Sequence, residues 1–125
     1  MPLAGTGENF VEAADREGID WRLLAAIAVR ESSGGLHEPA GSFNAWGWKS
    51  GRWSFNSYAA GIDFISAKLA TAPAYAGKDL KEKLAAYNPP SVLPQYPDQV
   101  IAIMESMAIS PTPLRCHIAE RENLK

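Results

Sequence analysis

Apolar residues recur along this chain at helical spacing, and Gly, Ser, Asp and Pro stand where each pattern stops. Phe10, Ala13 and Ala14, with Ile19 just beyond, share one side of a helix predicted over about 8–17, closed by Gly18. Asp20 reads as the N-cap of a second helix over about 21–32. There Leu24, Ile27 and Ala28 form one stripe, which Glu31 continues at i+7 before Ser32-Ser33-Gly34-Gly35 ends it. Ser57 caps a third helix over about 58–69, with Tyr58, Ile62, Ile65 and Leu69 on one face and Pro73 as its breaker. Leu80, Leu84 and Tyr87 mark a fourth over about 79–87, stopped at Asn88-Pro89-Pro90. Pro97 suits the first position of a fifth over about 97–107, with Val100, Met104 and Met107 inward. Residues 36–56 lack this period. Gly41, Gly47 and Gly51 punctuate them, and they read as a loop-rich lobe or a short β-hairpin.

Composition agrees with a mainly α class. Alanine and leucine number 30 against 12 valines and isoleucines, and unbranched side chains lose less freedom in a helix. A chain of 125 residues favours one domain, placed at 1–109, with 110–125 as a polar C-terminal extension. The formal charge of −2 argues against a nucleic-acid binder working by bulk charge. No apolar run approaches the ~20 residues of a membrane span. One cysteine, Cys116, excludes an internal disulfide and a thiolate-rich zinc site. His37 and His117 are solitary, and no metal or other cofactor is expected. The first residues, Met1 to Gly5, have neither a basic segment nor an apolar core of a secretory signal, so three alternatives stand: action where the chain is made, export by another route, or a leader already trimmed from this sequence.

Two features carry candidate chemistry. Glu31 is a carboxyl group at the end of an apolar stripe. Loss of hydration there favours its protonated form, as a general acid requires. The plainer alternative is a surface glutamate paired with Arg22 or Arg30. The second feature is aromatic. Phe43, Trp46, Trp48, Trp53, Phe55 and Tyr58 are half of all the aromatics, and between Pro39 and Ile62 the only charges are Lys49 and Arg52. Flat rings stack on sugars, and glycines admit a ligand to the backbone, so this block fits a carbohydrate cleft. The alternative is a core beneath a loop, and a mixture of the two is expected. Tyr87 and Asn88, at a helix end, are placed to hydrogen-bond a carboxyl group or a sugar.

In this order the motifs resemble the lysozyme-like superfamily of peptidoglycan glycosidases, above all its soluble lytic transglycosylase and bacterial glucosaminidase branches. The stretch from Leu23 through Glu31-Ser32-Ser33-Gly34 looks like the helix that ends in the family's acid and the serine after it. Asn44-Ala45-Trp46-Gly47-Trp48 resembles its Asn-x-x-Gly cleft loop. Trp53-Ser54-Phe55-Asn56-Ser57-Tyr58, followed by Gly61-Ile62, resembles the aromatic-Ser-aromatic approach to the next helix. Ala86-Tyr87-Asn88-Pro89 and Tyr96-Pro97-Asp98-Gln99-Val100 resemble the Tyr-Asn turn and the last core helix. The likeness spans about Asn9 to Met107. It departs from the family at the Gly-Leu-Met-Gln loop, which is absent, and at Pro89-Pro90, where a glycine is usual.

The resemblance implies a lysozyme-like fold of about five core helices. It implies cleavage of the β-1,4 bond between N-acetylmuramic acid and N-acetylglucosamine, outside the cytoplasm, by a lytic transglycosylase or muramidase. Glu31 would be the acid/base. Ser32, Asn44, Trp46, Gly47, Trp48, Tyr87 and Asn88 would bind the glycan strand. No carboxylate lies between Glu38 and Asp63, so a single-acid, substrate-assisted route is expected. The alternatives are an N-acetylglucosaminidase of the same superfamily, a non-catalytic peptidoglycan-binding module, or a scaffold domain in a larger assembly.

Overall fold

The computed structural model describes Leu3, residues 5–88 and residues 93–109. The expectations for Pro89, Pro90, Cys116, His117 and the 110–125 extension lie outside these residues. Five α-helices run in order: α1 Gly7–Glu17, α2 Trp21–Ser32, α3 Tyr58–Thr71, α4 Leu80–Tyr87 and α5 Tyr96–Ile109. The architecture is mainly α. No strand occurs among the described residues.

The ends are set locally, as the sequence indicates. Gly18 closes α1 in the left-handed region at φ 73°, donating its N–H to Ala14 O. The Asp20 carboxylate accepts from Arg22 N at 2.9 Å to open α2. Ser57 does the same for α3 through Ala60 N at 3.0 Å. Asp79 and Glu82 close a capping box on α4. Ala72, ahead of Pro73, is extended and stops α3.

Packing then decides where the helices lie. Leu23, Leu24, Ala25, Ala26, Ile27 and Ala28 of α2 are all buried. This helix is the centre of the core, with α5 and α1 against it, α3 against α1, and α4 against α5. Burying one Leu or Ile is worth about 1.5–3 kcal/mol, more than a typical cap. Of the predicted inward faces, Phe10, Ala13 and Ala14 of α1, Ile62, Ile65 and Leu69 of α3, Leu84 of α4, and Val100 and Met104 of α5 are buried, while Ile19, Tyr58, Leu80, Tyr87 and Met107 are only half-buried.

The segment between α2 and α3 differs from the hairpin alternative. It contains one 3-10 turn, Trp48–Gly51, and a single backbone bond across the loop, from Phe55 N to Ser42 O at 2.8 Å. A β-ladder needs repeated cross-strand pairs. Here the backbone instead turns through left-handed residues at Gly41, Phe43, Gly47, Lys49, Ser50 and Gly51. Trp46 plugs this lobe into the helices. It is wholly buried, donates its indole N–H to Leu24 O at 3.1 Å, and meets Phe10, Phe55 and Tyr58 edge to face. An added Cβ on Gly61 would stand 2.6 Å from the Trp46 ring, so glycine is what lets α3 approach.

Candidate active site

A cleft of about 430 Å³ opens between the end of α2, the 3-10 turn and the end of α4. Glu31, Gly47, Trp48, Lys49, Ser50, Tyr75, Tyr87 and Asn88 line it. Five residues expected at a glycan site, Glu31, Gly47, Trp48, Tyr87 and Asn88, therefore converge there.

Glu31 occupies the last turn of α2, one turn beyond buried Ile27. The apolar stripe continues to Glu31 in sequence, but the core ends before it. Its side chain is exposed, not half-sheltered as the stripe suggested, and it points into the cleft beside Trp48. Neither arginine partner proposed for it is engaged with it. Arg22 pairs with Asp20 at 2.7 Å, and Arg30 donates to Gln99 at 2.8 Å while lying over the Tyr96 ring. Gly47, at φ 64°, makes room for the carboxylate: a Cβ there would sit 2.9 Å from Glu31 Oε1.

Two tyrosines back this carboxylate. Tyr87 donates its hydroxyl to Trp46 O at 2.6 Å and stacks parallel on Tyr96. The Tyr96 hydroxyl is buried and has no hydrogen-bond partner of ordinary geometry, but it lies within the electrostatic reach of Glu31. Burial first, and then the negative charge of Glu31, push Tyr96 far above the ordinary phenol range. Burial, Tyr96 and Glu31 do the same to Tyr87. Both hydroxyls therefore keep their protons at neutral pH and act as donors.

Three other predicted contact residues lie beneath the cleft and hold up its wall. Ser32 is buried; its Oγ reaches Ala45 O at 2.5 Å and Ala28 O at 3.1 Å, and accepts from Gly35 N. Asn44 is fully buried. Its amide donates to Trp48 O at 3.0 Å and Trp53 O at 2.9 Å, and its Oδ1 accepts from Trp48 N at 3.0 Å. Trp46 is the plug described above. These side chains are occupied by the protein itself, so they position Gly47 and Trp48 instead of touching a ligand. An Asn-x-x-Gly spacing cannot distinguish the two roles. The distinction depends on which backbone groups the fold leaves in need of a partner.

Of the six aromatics in the block, Trp48 alone lines the cleft, fewer than the mixture of core and cleft expected. Trp46 is core, and Trp48 is a mostly buried cleft wall with an unpartnered indole N–H. Trp53 is exposed and stacks on Phe64. Glu38 accepts from the Tyr58 hydroxyl and does not line the cleft. Burial and then this bond push the Tyr58 pKa up to about 12.

Sequence reasoning missed Tyr75, Lys49 and Ser50 as lining residues, and Tyr96 as the neighbour of Glu31. Tyr75 sits in an irregular turn after α3. Lys83 fixes that turn by donating to Leu69 O at 2.5 Å and Tyr75 O at 3.0 Å. No periodic signal marks such a position. Lys49 was legible only as one of two charges in an acid-free stretch. Among the described residues no cluster of His, Cys, Asp and Glu could hold a metal, and no helix is long and apolar enough to cross a membrane. No family model, curated protein or solved structure matches this chain.

Proposed function

We propose that this protein is a peptidoglycan-cleaving glycosidase of lysozyme-like fold, acting outside the cytoplasm, with Glu31 as its one acid/base. The observation that carries this is the convergence of Glu31 with Trp48, Tyr75, Tyr87 and Asn88 on one cleft. Glu31 is also the only carboxylate among the described lining residues. Aromatic walls suit the apolar faces of sugar rings, and the Asn88 amide suits an acetamido or hydroxyl group.

A lone carboxyl group selects the route. Protonated Glu31 gives its proton to the glycosidic oxygen as the C1–O bond breaks. The muramyl acetamido oxygen closes on C1 and takes the place of a protein nucleophile. The resulting Glu31 carboxylate then accepts a proton from the attacking hydroxyl, and the acetamido group is restored. If the attacker is the 6-hydroxyl of the same sugar, a 1,6-anhydro end results; if it is water, a reducing end results.

Glu31→Gln is expected to lower release of soluble muropeptides from purified sacculi by at least about a hundredfold while leaving the fold intact. Wild-type turnover by this variant removes Glu31 from the chemistry. Mass analysis of the products separates the branches, since the anhydro end is one water lighter. The exposure of Glu31 favours a second reading, a non-catalytic glycan-binding module whose cleft holds the strand without breaking it. Retention of the wild type on sacculi without release of fragments supports that module.

A further inference from the structure

Lys49 is the one cation among the described residues that line the cleft, which it shares with the Glu31 carboxyl group. Its ammonium group lies 5.7 Å from the centroid of the Trp48 ring, over the aromatic wall. The side chain is exposed and makes no ion pair among the described residues. The backbone beneath it is unusual: Lys49 and Ser50 sit at φ 54° and φ 57°, both in the left-handed region that non-glycine residues rarely occupy. Side chains held in such positions at a cleft mouth are a known mark of functional constraint. The surroundings are electrostatically selective too. The whole chain is −2, yet the stretch from Pro39 to Ile62 is +2, through Lys49 and Arg52 alone.

We propose that Lys49 makes the cleft selective for glycan bearing carboxylates on its sugar substituents. An anionic strand then binds in preference to a neutral polymer of the same β-1,4 backbone. This rests on the glycan reading of the cleft given above. In peptidoglycan the carboxylates are those of the peptide stems, or of the lactyl arm once a stem has been removed. The Lys49 ammonium group attracts either one.

Retention on three immobilised polymers tests this: stem-bearing sacculi, glycan strands freed of their stems by an amidase that exposes the lactyl carboxylates and then coupled to beads, and chitin, which has neither group. A Glu31→Gln background leaves the polymers undigested. Within it, Lys49→Met is expected to weaken binding to stem-bearing sacculi about threefold to tenfold, the scale of a solvent-facing ion pair. Chitin is expected to lose less than about twofold by the same scale, so the preference ratio falls. Lys49→Arg restores it, and added salt erodes the ratio in the lysine and arginine forms but not in the methionine form. Met and Lys meet the same steric cost at φ 54°, and an unchanged unfolding midpoint confirms that the variant folds.

Loss confined to stem-bearing material assigns the stem carboxylates, and loss on stripped material assigns the lactyl group. Equal loss on chitin, no loss on any polymer, or failure of Lys49→Arg to restore the ratio overturns the proposal. Failure of Glu31 as the acid is scored separately, by release of fragments from the wild type, and leaves this measurement standing. Absence of retention on all three polymers overturns both.

Discussion

The helical core and the aromatic lobe are built by opposite means. In α2, every interior backbone group is satisfied by its own helix, and the side chains are free to do nothing but pack: Leu23 to Ala28 are buried without a polar atom among their side chains. In the lobe between α2 and α3, the backbone forms only scattered turn bonds of its own, and the side chains of Asn44 and Ser32 supply further partners. The core therefore tolerates exchange of one apolar side chain for another of similar volume. The lobe does not tolerate loss of a single amide. The cleft lies on the seam, with its carboxylate on the rigid helix and its wall on the side-chain-braced loop, so the two parts can be broken separately.

The largest break is expected from Trp46→Ala, which removes the plug between the two regions. Loss of a buried aromatic costs about 3–5 kcal/mol, and Leu24 O loses its added donor. The urea midpoint reports it, and a loss under about 1 kcal/mol would show that the lobe is not anchored there. Asn44→Ala comes next, at about 2–4 kcal/mol, because three backbone groups of Trp48 and Trp53 lose their partner in a buried site. Hydrogen exchange is expected to rise in the lobe well before it rises in α2, which is the sharpest check on the comparison.

Gly47→Ala is expected to cost only about 1 kcal/mol of stability, from its positive φ. It strikes the seam itself, since the new methyl group occupies space 2.9 Å from Glu31 Oε1. Activity on sacculi is expected to fall by at least about tenfold, the cost of misplacing a reacting group, with the helices intact. Retained activity would show that the carboxylate does not work from this position.

The smallest effect is a pH dependence. The Tyr58 pKa is pushed up to about 12 from its ordinary 10.0, so the folded state holds this proton more tightly than the unfolded chain does. The contribution is complete below about pH 10 and is lost as pH rises through about 12. Tyr58→Phe removes that part of the alkaline decline. Urea midpoints measured between about pH 8 and 11 check it, and an identical slope in the variant assigns the decline elsewhere.

Particular residues show where the sequence is legible. The bounds of α2, Trp21–Ser32, follow from Asp20 and the serine-glycine run, because caps act within one turn. Glu31 was legible as the end of a stripe, and its exposure was not. Periodicity gives the direction of a side chain around a helix and is silent on how far the neighbouring elements extend along it. Of the two readings of 36–56 the loop-rich one holds and the hairpin does not, because glycine punctuation says nothing of a backbone that Asn44 holds. Tyr96 and Tyr75 gave no sign of lying beside Glu31, being 65 and 44 positions away in the chain.

The sequence by itself determined the five helices, most of their ends and inward faces, and the carboxyl group in the last turn of α2. These are set by contacts within a turn or two, where spacing is distance. Only the tertiary structure decided that Trp46 is core while Trp48 is wall, that Ser32 and Asn44 serve the backbone, and that Lys49 shares a cleft with Glu31. Those outcomes depend on which groups, distant in the chain, compete for the same neighbour, and no local pattern records that competition.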